Sequence, residues 1–203
     1  MAEVKEKPIP VFREELVLKD DDIICQEGMQ EDALTQDADF LIVGGSRGGG
    51  KSWILLLDPL YDIANPHFTG IFFRKETAEL TKGGGLYDKA SKIYKHLGST
   101  ATALKHKFPS GAVLTFDHIQ NEQEREVEKR FKGLEVPAIY IDELDQFSIG
   151  TLMKLMQSNR NSLGIRNRII ATTNPNASSW LRVFLDYYIG DDGLIDPLKD
   201  RTM

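Results

Sequence analysis

The residues Gly45-Ser46-Arg47-Gly48-Gly49-Gly50-Lys51-Ser52 fit the spacing G-x-x-x-x-G-K-[ST] at every fixed position. An apolar run, Phe40-Leu41-Ile42-Val43, leads into them and a helical pattern leads out. That order suits a strand turning tightly into a helix while its backbone N–H groups wrap an anion. Glycine permits the required backbone angles and carries no Cβ to block a phosphate. The following helix adds unpaired N–H groups and the positive end of its dipole. Lys51 is expected to bring a point charge to the β- and γ-phosphates of ATP, and the Ser52 hydroxyl to ligate Mg²⁺. A flexible glycine linker would rarely carry Lys-Ser at this offset behind an apolar run.

A second apolar run, Pro137-Ala138-Ile139-Tyr140-Ile141, ends in the acids Asp142 and Glu143. In an open α/β sheet, ligands sit off the carboxyl ends of the strands, which puts both acids at the crevice of the glycine loop. Asp142 is expected to hold Mg²⁺, directly or through water, and Glu143 to orient and polarise an attacking water. By itself, an acid pair at a strand end is an ordinary way to begin a solvated turn. Beside an intact phosphate loop it reads as chemistry.

Arg47 stands inside the loop where a small residue would suffice. Its guanidinium is expected at the γ-phosphate or against an acid such as Glu143, as a sensor or cis-acting arginine. The run Arg168-Ile169-Ile170-Ala171 turns abruptly polar at Thr172-Thr173-Asn174, before Pro175. These three are candidates for hydrogen bonds to the γ-phosphate or the lytic water, and so for reporting hydrolysis to the rest of the domain. The plain alternative is an Asn-Pro turn. Gln30, in Gly28-Met29-Gln30-Glu31, precedes the first strand closely enough for the chain to fold back over a nucleotide. Its amide suits N6 and N7 of adenine, against the plain reading of a surface glutamine.

Positioning these residues needs a scaffold. From residue 30 onward, apolar runs alternate with helical patterns. This is the signature of an α/β domain with a central, mostly parallel β-sheet flanked by helices, expected here as a P-loop NTPase of the ASCE/RecA-like type. Strands are expected over 40–43, 69–73, 136–141 and 168–172, with short alternating runs at 101–104 and 112–116 around a turn, Phe108-Pro109-Ser110-Gly111. Helices are expected over 53–64 and at the stripe Leu86, Ala90, Ile93, Tyr94 and Leu97. Two more are expected around Leu152, Leu155 and Met156 and at Trp180, Leu181, Phe184, Leu185 and Tyr188. The charged stretch 122–130 reads as an exposed helix or loop. Residues 1–28 read as an N-terminal arm, 29–190 as the domain, and 191–203 as a tail.

The formal net charge of −6 gives the surface as a whole no attraction for nucleic acid. A DNA contact would be a local basic patch or lie on another domain or subunit. The single cysteine, Cys25, allows no internal disulfide and suits a reducing compartment. The first residues lack the apolar run of a signal peptide, and the apolar stretch from Trp53 to Leu57 breaks at Asp58-Pro59, far short of a membrane span. A cytoplasmic protein, or one working in a host cytoplasm, is expected. His67, His96, His106 and His118 are scattered without metal-site spacing. The tail acids Asp191, Asp192, Asp196 and Asp200 read as a solvated linker rather than a metal cluster.

Assembled in order, these residues resemble the ATPase domain of the large terminase subunit of tailed bacteriophages. The likeness runs from about Gln30 to the tail. Beyond the loop it rests on Gly28-Met29-Gln30-Glu31-Asp32-Ala33-Leu34, Ile71-Phe72-Phe73-Arg74-Lys75, Gly84-Gly85-Leu86-Tyr87 and Phe108-Pro109-Ser110-Gly111. Further on it rests on Ile141-Asp142-Glu143-Leu144, Ser158-Asn159-Arg160, Ala171-Thr172-Thr173-Asn174-Pro175 and Ser179-Trp180. The resemblance implies a virus-encoded motor that pumps double-stranded DNA into a procapsid with ATP and Mg²⁺. It would act as a homo-oligomeric ring on the portal, with a terminase small subunit as partner. The resemblance also implies Gln30 as the adenine contact, Arg47 as the loop arginine, and Thr172, Thr173 and Asn174 as the motif coupling hydrolysis to movement.

The same resemblance implies a C-terminal RNase H-like, metal-dependent nuclease, which no part of this sequence matches. It further implies an arginine from the adjacent subunit shortly before the acidic strand, where Arg125, Arg130 and Lys132 stand. Two other readings share the loop and the acid pair: a RecA-like helicase or repair ATPase, and a nucleotide-dependent assembly switch. Helicases need a second motor domain or a hexamer, with further nucleic-acid motifs. A pure switch has no use for a water-orienting acid beside Asp142.

Overall fold

Five apolar runs, each bounded by polar or glycine-rich turns, form the parallel part of one sheet: β1 (Phe40–Gly44), β2 (Thr69–Arg74), β5 (Val113–His118), β6 (Ala138–Ile141) and β7 (Arg168–Thr173). Two short strands, β3 (Thr100–Thr102) and β4 (Lys105–Lys107), extend it antiparallel along β5. In this computed structural model residues 23–189 are described, apart from Pro175 and Ala177. Most of the expected arm lies outside the described residues, as does the tail with Asp191, Asp192, Asp196 and Asp200.

The strand order is β1-β7-β6-β2-β5-β4-β3. Crossover helices close the parallel connections and cover both faces, so the central strands are buried on both sides and read as continuous apolar runs. One face packs Val43, Phe72, Leu114, Phe116, Tyr140 and Ile170 under three helices: α1 (Met29–Thr35), α2 (Lys51–Leu57) and α4 (Leu86–His96). The other packs Ile71, Phe73, Ile139, Ile141, Ile169 and Ala171 under α5 (Glu124–Phe131), α6 (Ile149–Ser158) and α7 (Trp180–Asp186). The Phe72 ring stacks between Phe116 and Tyr140, with centroids 4.4 and 4.6 Å away.

At the end of the sheet remote from the loop, the Tyr140 hydroxyl donates to Asp58 Oδ2 at 2.8 Å, and Arg168 pairs with Asp58 at 2.5 Å. This buried network ties two central strands to the segment after α2. No described helix is long and apolar enough to cross a membrane.

The expected elements are present with four differences. The helix expected over 53–64 ends as an α-helix at Leu57 and tightens into a 3-10 turn over Asp58–Tyr61, because Pro59 has no N–H to continue the ladder. The run expected at 101–104 is broken by a two-residue hairpin turn in which Ala103 (φ 45°) and Leu104 (φ 61°) are both left-handed. Such turns ordinarily announce themselves with Asn-Gly or Asp-Gly, so neither the turn nor β4 behind it is signalled. Leu97 ends the stripe of α4 outside the helix and largely exposed. Two short helices, α1 and α3 (Thr77–Thr81), carry too few turns to show a period.

Candidate active site

Parallel pairing decides what meets at the carboxyl edge of the sheet. Gly44 lies beside Thr173, Ile141 beside Ala171, and Phe73 beside Ile141. The residues one step further therefore share one crevice: the glycine loop after β1, Asp142 and Glu143 after β6, Thr172, Thr173 and Asn174 at the end of β7, and Arg74 at the end of β2. A cavity of about 200 Å³ opens there. It is lined by Arg47, Gly48, Gly49, Gly50, Lys51, Ser52, Trp53, Lys89, Asp142, Glu143, Thr172 and Asn174.

The loop is built as a cradle. Gly48 and Gly50 are left-handed, at φ 82° and 76°, conformations that cost other residues strain. A Cβ on Gly50 would also lie 2.3 Å from Gln30 Nε2. Gln30 is buried, donates to Gly50 O at 3.3 Å and Gln26 Oε1 at 3.4 Å, and accepts from Gln26 N–H at 2.9 Å. The structure thus folds α1 back onto the loop and gives the Gln30 amide the loop backbone as partner.

Lys51 is buried and donates to Gly45 O (2.7 Å), Ser46 O (2.6 Å) and Asn174 Oδ1 (3.1 Å). The Ser52 hydroxyl donates to Asp142 Oδ1 at 3.3 Å, and Thr172 Oγ1 donates to the same oxygen at 2.6 Å. One hydroxyl and one carboxylate facing each other suit a hard cation that keeps most of its ligands as water and phosphate oxygens, as Mg²⁺ does. Among the described residues there is no cluster of His, Cys, Asp and Glu that would hold a metal by itself.

Glu143 sits at φ 59°, ψ 58°, unusual for a side-chain-bearing residue at the end of a strand. This geometry turns its N–H to Thr172 Oγ1, at 3.1 Å, and leaves its carboxylate on the cavity wall. Gln146 donates to one carboxylate oxygen, and Asn174 Nδ2 approaches the other at 3.5 Å. Asn174 thereby touches both Lys51 and Glu143. Thr173 Oγ1 donates to Asp145 Oδ1 at 2.9 Å, and Asn174 N–H to the same atom at 3.3 Å. The three polar residues at the end of β7 are joined to the acids Asp142, Glu143 and Asp145, where a bare Asn-Pro turn would leave them in water.

Arg47 is exposed and lines the cavity; the residue that pairs with Glu143 is Arg74. Its three guanidinium nitrogens reach three carboxylates: Nε to Glu79 at 3.1 Å, Nη1 to Asp142 at 2.8 Å, and Nη2 to Glu143 at 2.9 Å. Burial works against its charge, but Asp142, Glu143 and Glu79 outweigh burial and hold the guanidinium above its ordinary value. In the sequence Arg74 belongs only to the stretch Ile71-Phe72-Phe73-Arg74-Lys75 that carries the resemblance, just past the expected strand 69–73, with no role of its own. The signal was its position, a charge at the last residue of a buried strand that turns out to neighbour the acid-bearing one.

Lys75 points the other way and pairs with Glu122, whose Oε2 also accepts from Ser148 N–H (2.6 Å) and Thr151 Oγ1 (2.5 Å). Glu122 therefore staples β2 to the start of α6. Burial pushes its carboxyl up, but the bonds from Lys75, Ser148 and Thr151 prevail and hold it below its ordinary value of 4.5. Such a depressed carboxyl adds stability above the unfolded-state pKa, and that stability is lost as pH falls through the lower folded value. Glu122→Gln is expected to cost about 2 kcal/mol near pH 7, a fall of about 4–8 °C in Tm. The gap to wild type should close as pH falls from the ordinary value of 4.5 through the lower folded one, as thermal melts across pH would record.

Of the remaining candidates, Arg130 pairs with Asp117. Arg125 and Lys132 line a separate groove of about 500 Å³ between α5 and α6, with Lys129, Lys154 and Arg160. None of the three lines the phosphate-loop cavity.

A family model shows the family, and solved structures show the fold. The family model described as terminase large subunit, T4likevirus-type, N-terminal, matches residues 42–197. The large terminase of the thermophilic bacteriophage D6E, solved with ADP, superposes with a TM-score of 0.59 at 15% identity, over 82% of this chain and 43% of its own. The N-terminal domain of the DNA packaging ATPase of bacteriophage phi29 gives 0.56 at 17% identity, over 77% of this chain and 84% of its own. The large terminase of bacteriophage HK97 gives 0.59 at 13% identity, over 81% of this chain and 36% of its own. The chain thus spans less than half of the two large terminases. At these identities the superpositions carry the fold alone. No curated protein sequence matches.

Proposed function

Because the chain belongs to the T4likevirus-type family of terminase large-subunit N-terminal domains, we propose that it is the ATP-hydrolysing motor domain of a viral DNA-packaging terminase. Its substrates are Mg-ATP and double-stranded DNA. Its partners are the portal of a procapsid, a terminase small subunit and further copies of itself in a ring, and its place of work is the host cytoplasm. The observation that carries this reading is the approach of Ser52 Oγ, in the first turn of α2, to Asp142 Oδ1, just after β6, at 3.3 Å inside a cavity floored by the glycine loop. A fold-bearing relative without the activity has no reason to keep that pair, Glu143 and Asn174 on one wall.

In this reading the loop's N–H groups and Lys51 bind the β- and γ-phosphates, and Ser52 and Asp142 hold Mg²⁺. Bound there, the ion would neutralise charge developing between the β- and γ-phosphates. Glu143 orients the attacking water and accepts its proton. Arg47, an exposed loop side chain lining the cavity, is assigned to the γ-phosphate. Asn174, in contact with Lys51 and Glu143, and Thr172, in contact with Asp142 and Glu143, transmit the presence of that phosphate into β7. Gln30 is the proposed adenine contact, reached by exchanging its long donor bonds of 3.3 and 3.4 Å for one to the base.

Lys51→Ala tests the reading at its base. It is expected to weaken Mg-ATP binding by about 100-fold, the loss of a charge-assisted phosphate contact in a part-buried site, and to silence phosphate release. Retained turnover in Lys51→Ala would place the nucleotide elsewhere.

A further inference from the structure

Two cations on the cavity wall, Arg47 and Lys89, make no side-chain hydrogen bond or ion pair to any described residue. The others are fully engaged. An ammonium has three donors, and Lys51 directs them to Gly45 O, Ser46 O and Asn174 Oδ1. Arg74 faces three carboxylates. A terminal phosphate entering this cavity would meet two acids, Asp142 and Glu143, and would need positive charge beyond what Lys51 and a divalent ion bring.

Arg47 rides on an exposed loop, whereas Lys89 comes from a helix with fixed placement. On α4 the buried stripe is Leu86, Ala90, Ile93 and Tyr94. Lys89 follows Leu86 by three residues, which sets it on the flank of that stripe, half-buried and turned to the cavity. Lys92, one turn on, faces solvent and pairs with Asp88 at 3.3 Å. The start of α4 is pinned by Gly85, where an added Cβ would lie 2.5 Å from Leu80 O and 2.7 Å from Glu79 O. Glu79 in turn holds Arg74. The corner between α3 and α4 therefore carries Lys89 at a fixed offset from the acid pair.

We propose that Lys89 is a cis-acting cation for the terminal phosphate, contacting the γ-phosphate of a nucleoside triphosphate from its place on α4 in the cavity lining. This rests on the assignment of the cavity to nucleotide. A γ-phosphate contact favours triphosphate over diphosphate, so Lys89 is also a residue by which the site tells ATP from ADP. An ordinary solvated lysine on α4 would do neither.

The test is equilibrium binding of two probes, Mg-ATPγS and Mg-ADP, to the whole chain. Lys89→Met is expected to weaken Mg-ATPγS by about tenfold, the scale of one charge-assisted hydrogen bond, and to leave Mg-ADP within about twofold. Lys89→Arg should keep most of the discrimination. Equal losses for both nucleotides, or no loss for either, would overturn the assignment. Mixing Lys89→Met with Glu143→Gln separates cis from trans. At Mg-ATP well below saturation, phosphate release in the mixture stays no higher than that of its Lys89→Met share alone if Lys89 serves its own site, and release rising above that share would overturn the cis role. Wild type that binds neither probe would overturn the nucleotide reading of the cavity, and the assignment of Lys89 with it.

Discussion

Glu143→Gln is expected to bind Mg-ATP about as tightly as wild type and to release phosphate about 10²–10⁴-fold more slowly, the usual contribution of a positioned general base. The substitution keeps the size of the side chain and, with one acceptor oxygen, one of the two hydrogen bonds that Glu143 accepts from Gln146 and Asn174, so the wall of the cavity largely survives. It removes the negative charge that polarises water. It also removes one of the three carboxylates on Arg74 while leaving Asp142 and Glu79 in place. The fold should therefore be nearly unaffected, and single-turnover kinetics should place the whole defect on the chemical step. A loss of binding equal to the loss of rate would make Glu143 a ligand rather than a base.

The second large effect is expected at Arg74, and it is structural first. Asp142 is only 3% exposed at the side chain and relies on Arg74 Nη1 at 2.8 Å. Removing one partner of a buried ion pair leaves an uncompensated charge, at a cost of about 3–5 kcal/mol. Arg74→Met should accordingly lower Tm by about 6–20 °C, at 2–4 °C per kcal/mol for a chain of this size. Arg74→Lys keeps the charge but has no fork to reach three acids, and should recover only part of the loss. In the double variant Arg74→Met/Asp142→Asn the two effects should fall well short of additive, since the second change removes the charge that the first exposed. Additive losses would mean that the two groups stabilise the fold independently, against the geometry.

The difference between Arg74 and Glu143 shows what a sequence can and cannot convey here. The glycine loop and the acid pair are legible because their chemistry dictates residue types at fixed local spacing, and because each follows an apolar run long enough to read as a strand. The parallel core strands were legible for the same reason. Arg74 was not, because its importance comes from register: Phe73 neighbours Ile141, so the next residue of β2 meets the next residue of β6. Nothing local to Arg74 carries that pairing. Glu122 sits at the head of a stretch that reads as solvated charge, yet it is stapled to Lys75, Ser148 and Thr151 by contacts with two distant segments. Arg47 illustrates the reverse. Its place in the loop suggested a partner in Glu143, but the fold had already supplied that carboxylate with an arginine from β2.

A motor domain of this kind must turn over Mg-ATP in this cavity. The most direct measurement is phosphate release by the wild-type chain at matched protein concentration beside Lys51→Ala and Glu143→Gln, with nucleotide binding recorded on the same samples. Expected are saturable release by wild type, neither tight binding nor release by Lys51→Ala, and tight binding with release slowed about 10²–10⁴-fold by Glu143→Gln. Wild type that binds Mg-ATP and never releases phosphate, or release at the same rate in all three, would contradict the motor assignment.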